Sequence, residues 1–421
     1  MAKQWTERQQ KAIAAKDKFT ILSAAAGSGK TSVLVERAVR ILADESNPVS
    51  ADRLLIVTFS NASAAEFKKR IDDSLSRLMA QNPDSAYLSR QRVKLQNADI
   101  STIDAFCIKL ARENFQILDI SPDAGICDDI RTEQIHRQAI DRAMNYGYGL
   151  DNFSGLVSFF GKSSTDRDIR DFLKKMFTFF SVLPNPGKQA EKMAESYSSY
   201  RDMRLSPAYK KEAETVKQIA AYTLSLAEQA DKMYQKSRST GYEASLEARL
   251  ATGEKISRLA NGENWRELSA LIKAGPDKIG RVKGGADEYS LATKDIYDEY
   301  KKAFEEIDLR LDYLDEDKYA YDISLTEDYV RVLFQVFDFY LAKLTEIKKK
   351  RNMFEFSDYE QFALQLLQND GEEPTGLCKS LQDHYLYIME DEYQDTNQVQ
   401  DRIFTLLSQN TKNLYVVGDI K

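Results

Sequence analysis

The sequence predicts an α/β fold: a parallel sheet with covering helices, built around a phosphate-binding loop and interrupted by a large, mostly α-helical insertion. Three observations predict it. An apolar run, Phe19–Leu22, leads into Ala24-Ala25-Ala26-Gly27-Ser28-Gly29-Lys30-Thr31 and then an amphipathic stretch from Val33. Apolar runs recur at Leu54–Phe59 and, more weakly, Ala98–Ile103, and again at Tyr385–Met389 and Leu414–Val417. Between them the texture turns helical from about 125 to 350.

The first element is a strand, a glycine loop and a helix in succession. Gly27 and Gly29 let the backbone turn so that successive N–H groups face one anion. The helix that opens there adds its positive dipole end. Lys30 is placed to reach β- and γ-phosphates and the Thr31 hydroxyl to hold Mg2+. The nucleotide-cradling set is therefore Ala26, Gly27, Ser28, Gly29, Lys30, Thr31 and Ser32. Leu54–Phe59, like Phe19–Leu22, reads as a buried parallel strand, since both faces of such a sheet are covered.

The middle region keeps helical spacing at Val216, Ile219, Ala220, Ala227 and Ala230, and again at Val330, Leu333, Phe337, Leu341, Leu344 and Ile347. Loop signals separate its helices at 161–164, 183–187 and 273–276. Phe334, Phe337 and Phe339 read as core. Lys273, Lys278, Arg281 and Lys283 form a basic, glycine-containing loop that fits either a solvated surface or a DNA backbone. The expected division is 1–124 and 351–421 as two parts of one sheet domain, with 125–350 as the insertion.

After the insertion, Ser357-Asp358-Tyr359-Glu360 reads as a capping box opening a helix through Leu367. Asp391-Glu392 closes the Tyr385–Met389 strand. A phosphate loop needs a carboxylate at the end of a neighbouring strand to hold Mg2+, and Asp391 fits. Glu392 fits the general base that deprotonates the attacking water. The catalytic set is thus Lys30, Asp391 and Glu392, and the metal set Thr31 and Asp391.

Bulk properties narrow the alternatives. At 421 residues, 43% hydrophobic and 30% charged, the chain is long enough for two or three globular domains. Its net charge of −7 excludes simple basic-patch binding, so any nucleic-acid site must be a local groove of backbone donors, hydroxyls, amides and aromatic faces. Three dispersed cysteines and two histidines offer no metal-ligand spacing. With no membrane-spanning run and no signal-like N-terminus, a cytoplasmic protein with no membrane partner is expected.

Several segments together carry a resemblance. Asp391-Glu392-Tyr393-Gln394-Asp395-Thr396-Asn397 resembles motif II of the UvrD/Rep-like superfamily 1 DNA helicases, and Val417-Gly418-Asp419 the opening of their motif III. Thr58–Glu66 with Arg70-Ile71 resembles motif Ia, Trp5–Ile13 the N-terminal glutamine motif, and Ser101–Cys107 the next DNA-contacting segment. Within that family the chain is most similar to the AddA-type (RexA) helicase–nuclease subunits, on the Trp5 motif, the three alanines before the loop, Thr102-Ile103-Asp104-Ala105-Phe106-Cys107 and the size of the insertion.

The resemblance implies a RecA-like P-loop fold, ATP with Mg2+, and 3′-to-5′ DNA unwinding in double-strand break repair. It implies that the chain is the N-terminal part of a longer protein, also an exonuclease, which acts on single-stranded DNA and a duplex end with an AddB-like (RexB) partner. Gln9 would select adenine and Gln394 would touch the nucleotide half-site. Thr58, Phe59, Ser60, Asn61, Thr102 and Phe106 would contact single-stranded DNA. Phe59 and Phe106 fit base stacking or core packing equally. Many relatives carry histidine where this chain has Asp104, an acid that would repel phosphate unless turned away or paired. Glu390 stands where an apolar residue usually precedes the Asp-Glu pair. Two other readings compete with an AddA-type motor. One is a UvrD/PcrA-type repair helicase. The other is a module that binds nucleotide and single-stranded DNA with little turnover. A small-molecule kinase or ABC-type ATPase leaves Thr58–Ile71 and Asp391–Asn397 unexplained.

Overall fold

The computed structural model describes residues 4–15, 19–25, 27–161, 166–276, 278–408 and 414–419. They form two compact units, 1–190 with 335–421, and 191–334. The insertion expected over 125–350 is therefore divided. Its first helices, Asp129–Gly147, Phe153–Phe160 and Arg167–Ser181, belong to the first unit.

The first unit holds a five-stranded parallel sheet. Its strands are β1 (Phe19–Ser23), β2 (Leu54–Thr58), β3 (Asp99–Thr102), β6 (Tyr387–Asp391) and β7 (Leu414–Gly418), in the order β1-β7-β6-β2-β3. A two-stranded parallel pair joins β4 (Gly125–Ile126) to β5 (Met353–Phe354). Both late strands lie inside the sheet, between β1 and β2. Glu390 pairs with Val57 on one side and Val416 on the other. This interleaving brings the loop after β1 and the acidic end of β6 to the same carboxyl edge of the sheet, where such folds bind ligands.

β2, β6 and β7 are almost wholly buried, as their unbroken apolar runs predict. β1 departs from that expectation. It pairs with β7 alone, and Phe19 and Ile21 keep 51% and 59% of their surface exposed. An end strand lacks a second neighbour, so its apolar residues are half-wasted on solvent. Two cores cover the sheet. Leu34, Leu42, Leu54, Ile56, Phe67 and Val417 pack on one side, and Leu55, Val57, Phe106, Ile388, Phe404 and Val416 on the other.

The second unit is helical. The helices Pro207–Tyr234, Glu243–Asn261, Trp265–Lys273 and Glu288–Leu311 enclose a core that includes Val216, Ala220, Ala227, Trp265, Tyr300 and Phe304. The basic loop lies here, with Lys283 bridged to Thr240 and with Gly284 and Gly285 at positive φ. No helix among the described residues is long and apolar enough to cross a membrane.

Candidate functional site

The loop after β1 turns on two glycines in the left-handed region, Gly27 at φ 76° and Gly29 at φ 85°. Gly29 caps the Lys30–Ala43 helix with no side-chain bond, which leaves the first N–H groups of that helix without a side-chain cap. Ala26 lies outside the described residues. Lys30 is 9% exposed and folds back along the loop. Its Nζ donates to Ala24 O at 3.0 Å and Ala25 O at 3.4 Å and pairs with Asp419. Ser28 and Ser32 flank the turn, and Ser28 N donates to Ala25 O at 3.2 Å.

Across the sheet edge, the Thr31 hydroxyl donates to Asp391 Oδ2 at 3.1 Å. Asp391 is 3% exposed, and its Oδ1 is buried with no hydrogen-bond partner. Burial raises its carboxyl above the ordinary range, opposed by the Thr31 bond. A hydroxyl beside a half-satisfied carboxylate is an all-oxygen donor set that suits Mg2+, which takes one or two protein oxygens and draws the rest from phosphates and water. The residues present fit that ion.

Glu392 follows at φ 60°, left-handed for a residue that carries a Cβ. Such strain persists where the surroundings over-determine it. They do so here through Gln394. Its Nε2 donates to Glu392 Oε2 at 2.5 Å, while its Oε1 accepts from the Asp419 backbone N–H at 2.8 Å. Gln394 thus ties the acidic turn to the end of β7. Glu390 points the other way, as strand alternation requires. It is fully buried, bonded to Thr396, and burial pushes its carboxyl up to about 7.

Gln9 reaches the loop from a separate helix, Glu7–Ala14. Thr6 and Gln9 form a capping box: Gln9 N donates to Thr6 Oγ1 at 3.3 Å and Thr6 N to Gln9 Oε1 at 3.0 Å. The Gln9 side-chain amide donates to Ser28 O at 3.1 Å. Thr-x-x-Gln is the local signal that marks this box, one that the motif resemblance alone does not use. Arg37, 5% exposed, fixes this helix by donating to Ile13 O at 2.9 Å and Ala15 O at 2.6 Å, with Tyr415 under its guanidinium.

The expected DNA-contacting residues separate into two groups. Phe59 is 42% exposed and Asn61 is exposed, beside Ser60, which caps the Asn61–Gln81 helix by accepting from Ser63 N at 3.1 Å. Thr58 has no exposed surface, and its hydroxyl bonds Ser60 O and N. Thr102 is 8% exposed and spends its Oγ1 on the N-cap of the Ile103–Glu113 helix, accepting from Ala105 N at 3.1 Å. Phe106 corrects the expectation. It is 3% exposed and packs its ring against Tyr385 and Phe404, so no base can stack on it.

The capping box expected at Ser357–Glu360 also shifts. The helix spans Phe356–Leu367, and Asp358 accepts from Glu355 N at 2.7 Å. Glu360 is left for a different set of partners.

The UvrD/REP helicase N-terminal domain family matches residues 5–421. A protein of Oceanobacillus iheyensis, named as an ATP-dependent helicase/nuclease subunit, is 30% identical over 440 residues, covering 99% of this chain and 35% of that protein. Proteins of the same name from Listeria monocytogenes serotype 4a and Staphylococcus haemolyticus are 33% and 31% identical, with the same coverage. The chain spans about a third of the length of the curated relatives it matches.

Proposed function

Because the chain belongs to the UvrD/REP helicase family, matching its N-terminal domain, we propose that it is the ATP- and DNA-binding part of a 3′-to-5′ motor, the helicase subunit of AddA type. One observation carries the reading: Lys30 and Thr31 from the start of the chain meet Asp391 and Asp419 from its end at one sheet edge, with Asp391 Oδ1 buried and unpartnered. Residues 1–124 and 351–421 then act as one RecA-like domain around the insertion.

Lys30 holds the β- and γ-phosphates once it leaves Asp419. Thr31 and Asp391 would hold Mg2+, which would supply charge neutralisation at the phosphates. Glu392, steadied by Gln394, accepts the proton of the attacking water. Gln9, already beside the loop, offers the donor and acceptor that an adenine edge needs. Phe59 offers a face for a base, with Ser60 and Asn61 for the adjoining phosphates. Thr58 and Thr102 support that surface by fixing the turns beneath it. The relatives' printed name, a helicase/nuclease subunit, supports a nuclease activity and a partner subunit in the longer protein; double-strand break repair and an AddB-like partner rest on the motif resemblance alone.

Lys30→Ala is expected to weaken Mg–ATP binding roughly tenfold to hundredfold, the range for losing a charge-assisted bond. A fluorescent adenine-nucleotide titration measures it, and unchanged affinity would sink the assignment. An ATPase assay with single-stranded DNA on these 421 residues separates a working motor half from a module that only binds. Turnover stimulated by DNA selects the first.

A further inference from the structure

We propose that Arg37 and Tyr415 are positioning residues for base selection: together they hold the helix that carries Gln9 where its amide meets the phosphate loop, an inference that rests on the role of Gln9 proposed above. The carbonyls of Ala12, Ile13 and Ala15, at the end of the Glu7–Ala14 helix, face these two side chains. Arg37 Nη1 donates to Ile13 O at 2.9 Å and to Ala15 O at 2.6 Å, and the Tyr415 hydroxyl donates to Ala12 O at 3.1 Å. The last carbonyls of a helix have no acceptor role within it, so they are open to such outside donors. The Arg37 guanidinium lies 4.5 Å from the centre of the Tyr415 ring, and each donor thereby fixes the other. Burial raises the Tyr415 pKa above its ordinary value, which keeps the hydroxyl protonated and donating.

The same two residues belong to the elements that hold the phosphate groups. Arg37 lies on the Lys30–Ala43 helix, roughly two turns beyond Lys30. Tyr415 lies on β7 opposite Thr20 of β1, the strand that leads into the loop. The Gln9 helix is about 12 Å long, so a hold on its end fixes where its first turn sits. There Gln9 Nε2 donates to Ser28 O at 3.1 Å and lies 3.5 Å from where a Cβ on Gly29 would stand. Gln9 Oε1 accepts from Thr6 N at 3.0 Å. A glutamine amide has two N–H donors and two acceptor lone pairs, so one of each is left for a base. Adenine presents a donor beside an acceptor, its amino group and N7, whereas guanine presents two acceptors, O6 and N7. Gln9 completes both bonds with adenine alone, and only while its helix is held. Without Arg37 or the Tyr415 hydroxyl the helix is free to shift, and base selection falls while the loop keeps its own phosphate donors.

Base selectivity is the readout, because a general loss of fold weakens every ligand alike. A fluorescent adenine nucleotide is displaced from the 421-residue chain, with Mg2+ present, by ATP, by GTP and by tripolyphosphate. The wild type is expected to favour ATP over GTP at least about fivefold, and Gln9→Ala to bring that preference below about twofold. Arg37→Met, which keeps an apolar stem and removes the donors, is expected to bring it below about twofold as well, with tripolyphosphate bound within about threefold of wild type. Tyr415→Phe keeps the ring under Arg37 and removes only the hydroxyl. It is expected to lower the preference about twofold, and it serves alone where Arg37→Met does not fold. Gln9→Ala combined with Arg37→Met is expected to bind ATP no more weakly than the weaker of the two single variants, since both act on one contact. A folded Arg37→Met or Tyr415→Phe with the wild-type preference overturns the positioning role. So do losses of ATP affinity that add in the combined variant, or an Arg37→Met that loses tripolyphosphate as strongly as ATP. A wild type without preference, or a Gln9→Ala that keeps it, overturns the reading of Gln9, and the positioning role falls with it.

Discussion

Phe59 and Phe106 each sit in a segment that resembles a DNA-contacting motif, and each is an aromatic that could face a base or a core. Phe59 keeps 42% of its surface exposed just after β2, whereas Phe106 is enclosed by Tyr385 and Phe404. Their substitutions should therefore separate. Phe59→Ala is expected to cost single-stranded DNA binding about tenfold, the worth of one base stacked on an aromatic, with little loss of stability. Phe106→Ala is expected to cost about 3–5 kcal/mol of folding stability by opening a cavity. Oligonucleotide titration and chemical denaturation measure the two, and equal effects on DNA binding would refute the division. Neither fate is written in the local pattern. Both residues lie in short motifs of mixed polarity, and only the strand and helix packed over Phe106 decide its burial.

Elements are held by polar joints as much as by their apolar faces. Lys348, 2% exposed, bridges Glu355 and Asp358, each at 2.7 Å, where the Glu316–Arg351 helix meets the start of Phe356–Leu367. His136 Nε2 lies 2.8 Å from Glu355 Oε1 and its Nδ1 contacts the Tyr340 hydroxyl. Burial alone would raise the Glu355 carboxyl, but His136 and Lys348 outweigh it and bring it down to about 2 from an ordinary 4.5. A carboxyl lowered on folding contributes stability above its unfolded value and loses it as pH falls toward the folded one. Wild type is thus expected to lose stability between about pH 4.5 and 2 more steeply than Glu355→Gln, as denaturation across that range would register. Lys348→Met, which removes the cation between two partly buried acids, is expected to cost about 1–3 kcal/mol near neutral pH. The sequence places this helix start at Ser357, because Ser-x-x-Glu is a common opening signal. The acid three residues on is instead recruited by Asn397 and Gln400, which lie far along the chain.

At the scale of the whole chain the net charge of −7 sets what the proposed DNA contacts can be. The proposed contacts are an aromatic face, hydroxyls and amides rather than a lysine stripe. Each phosphate neutralised by a cation contributes about −0.7 to the slope of log affinity against log salt for a single strand. A slope shallower than about −3 is therefore expected, equivalent to about four neutralised phosphates or fewer. A steeper slope in oligonucleotide titrations would point to a basic surface such as the Lys273–Lys283 loop. The strands, the glycine loop and the helical insertion were legible because each rests on local chemistry: apolar runs, positive-φ glycines and the 3.6-residue period. So were Lys30, Thr31, Asp391 and Glu392, whose residue types belong to their local setting. Three-dimensional contact alone decided that β6 and β7 insert between β1 and β2, that Lys30 rests on Asp419, that β1 is an exposed edge and that Glu360 is a buried junction. Those outcomes depend on pairing between segments far apart along the chain. The free energy of such pairing comes from burial and hydrogen bonds that no short stretch of chain contains.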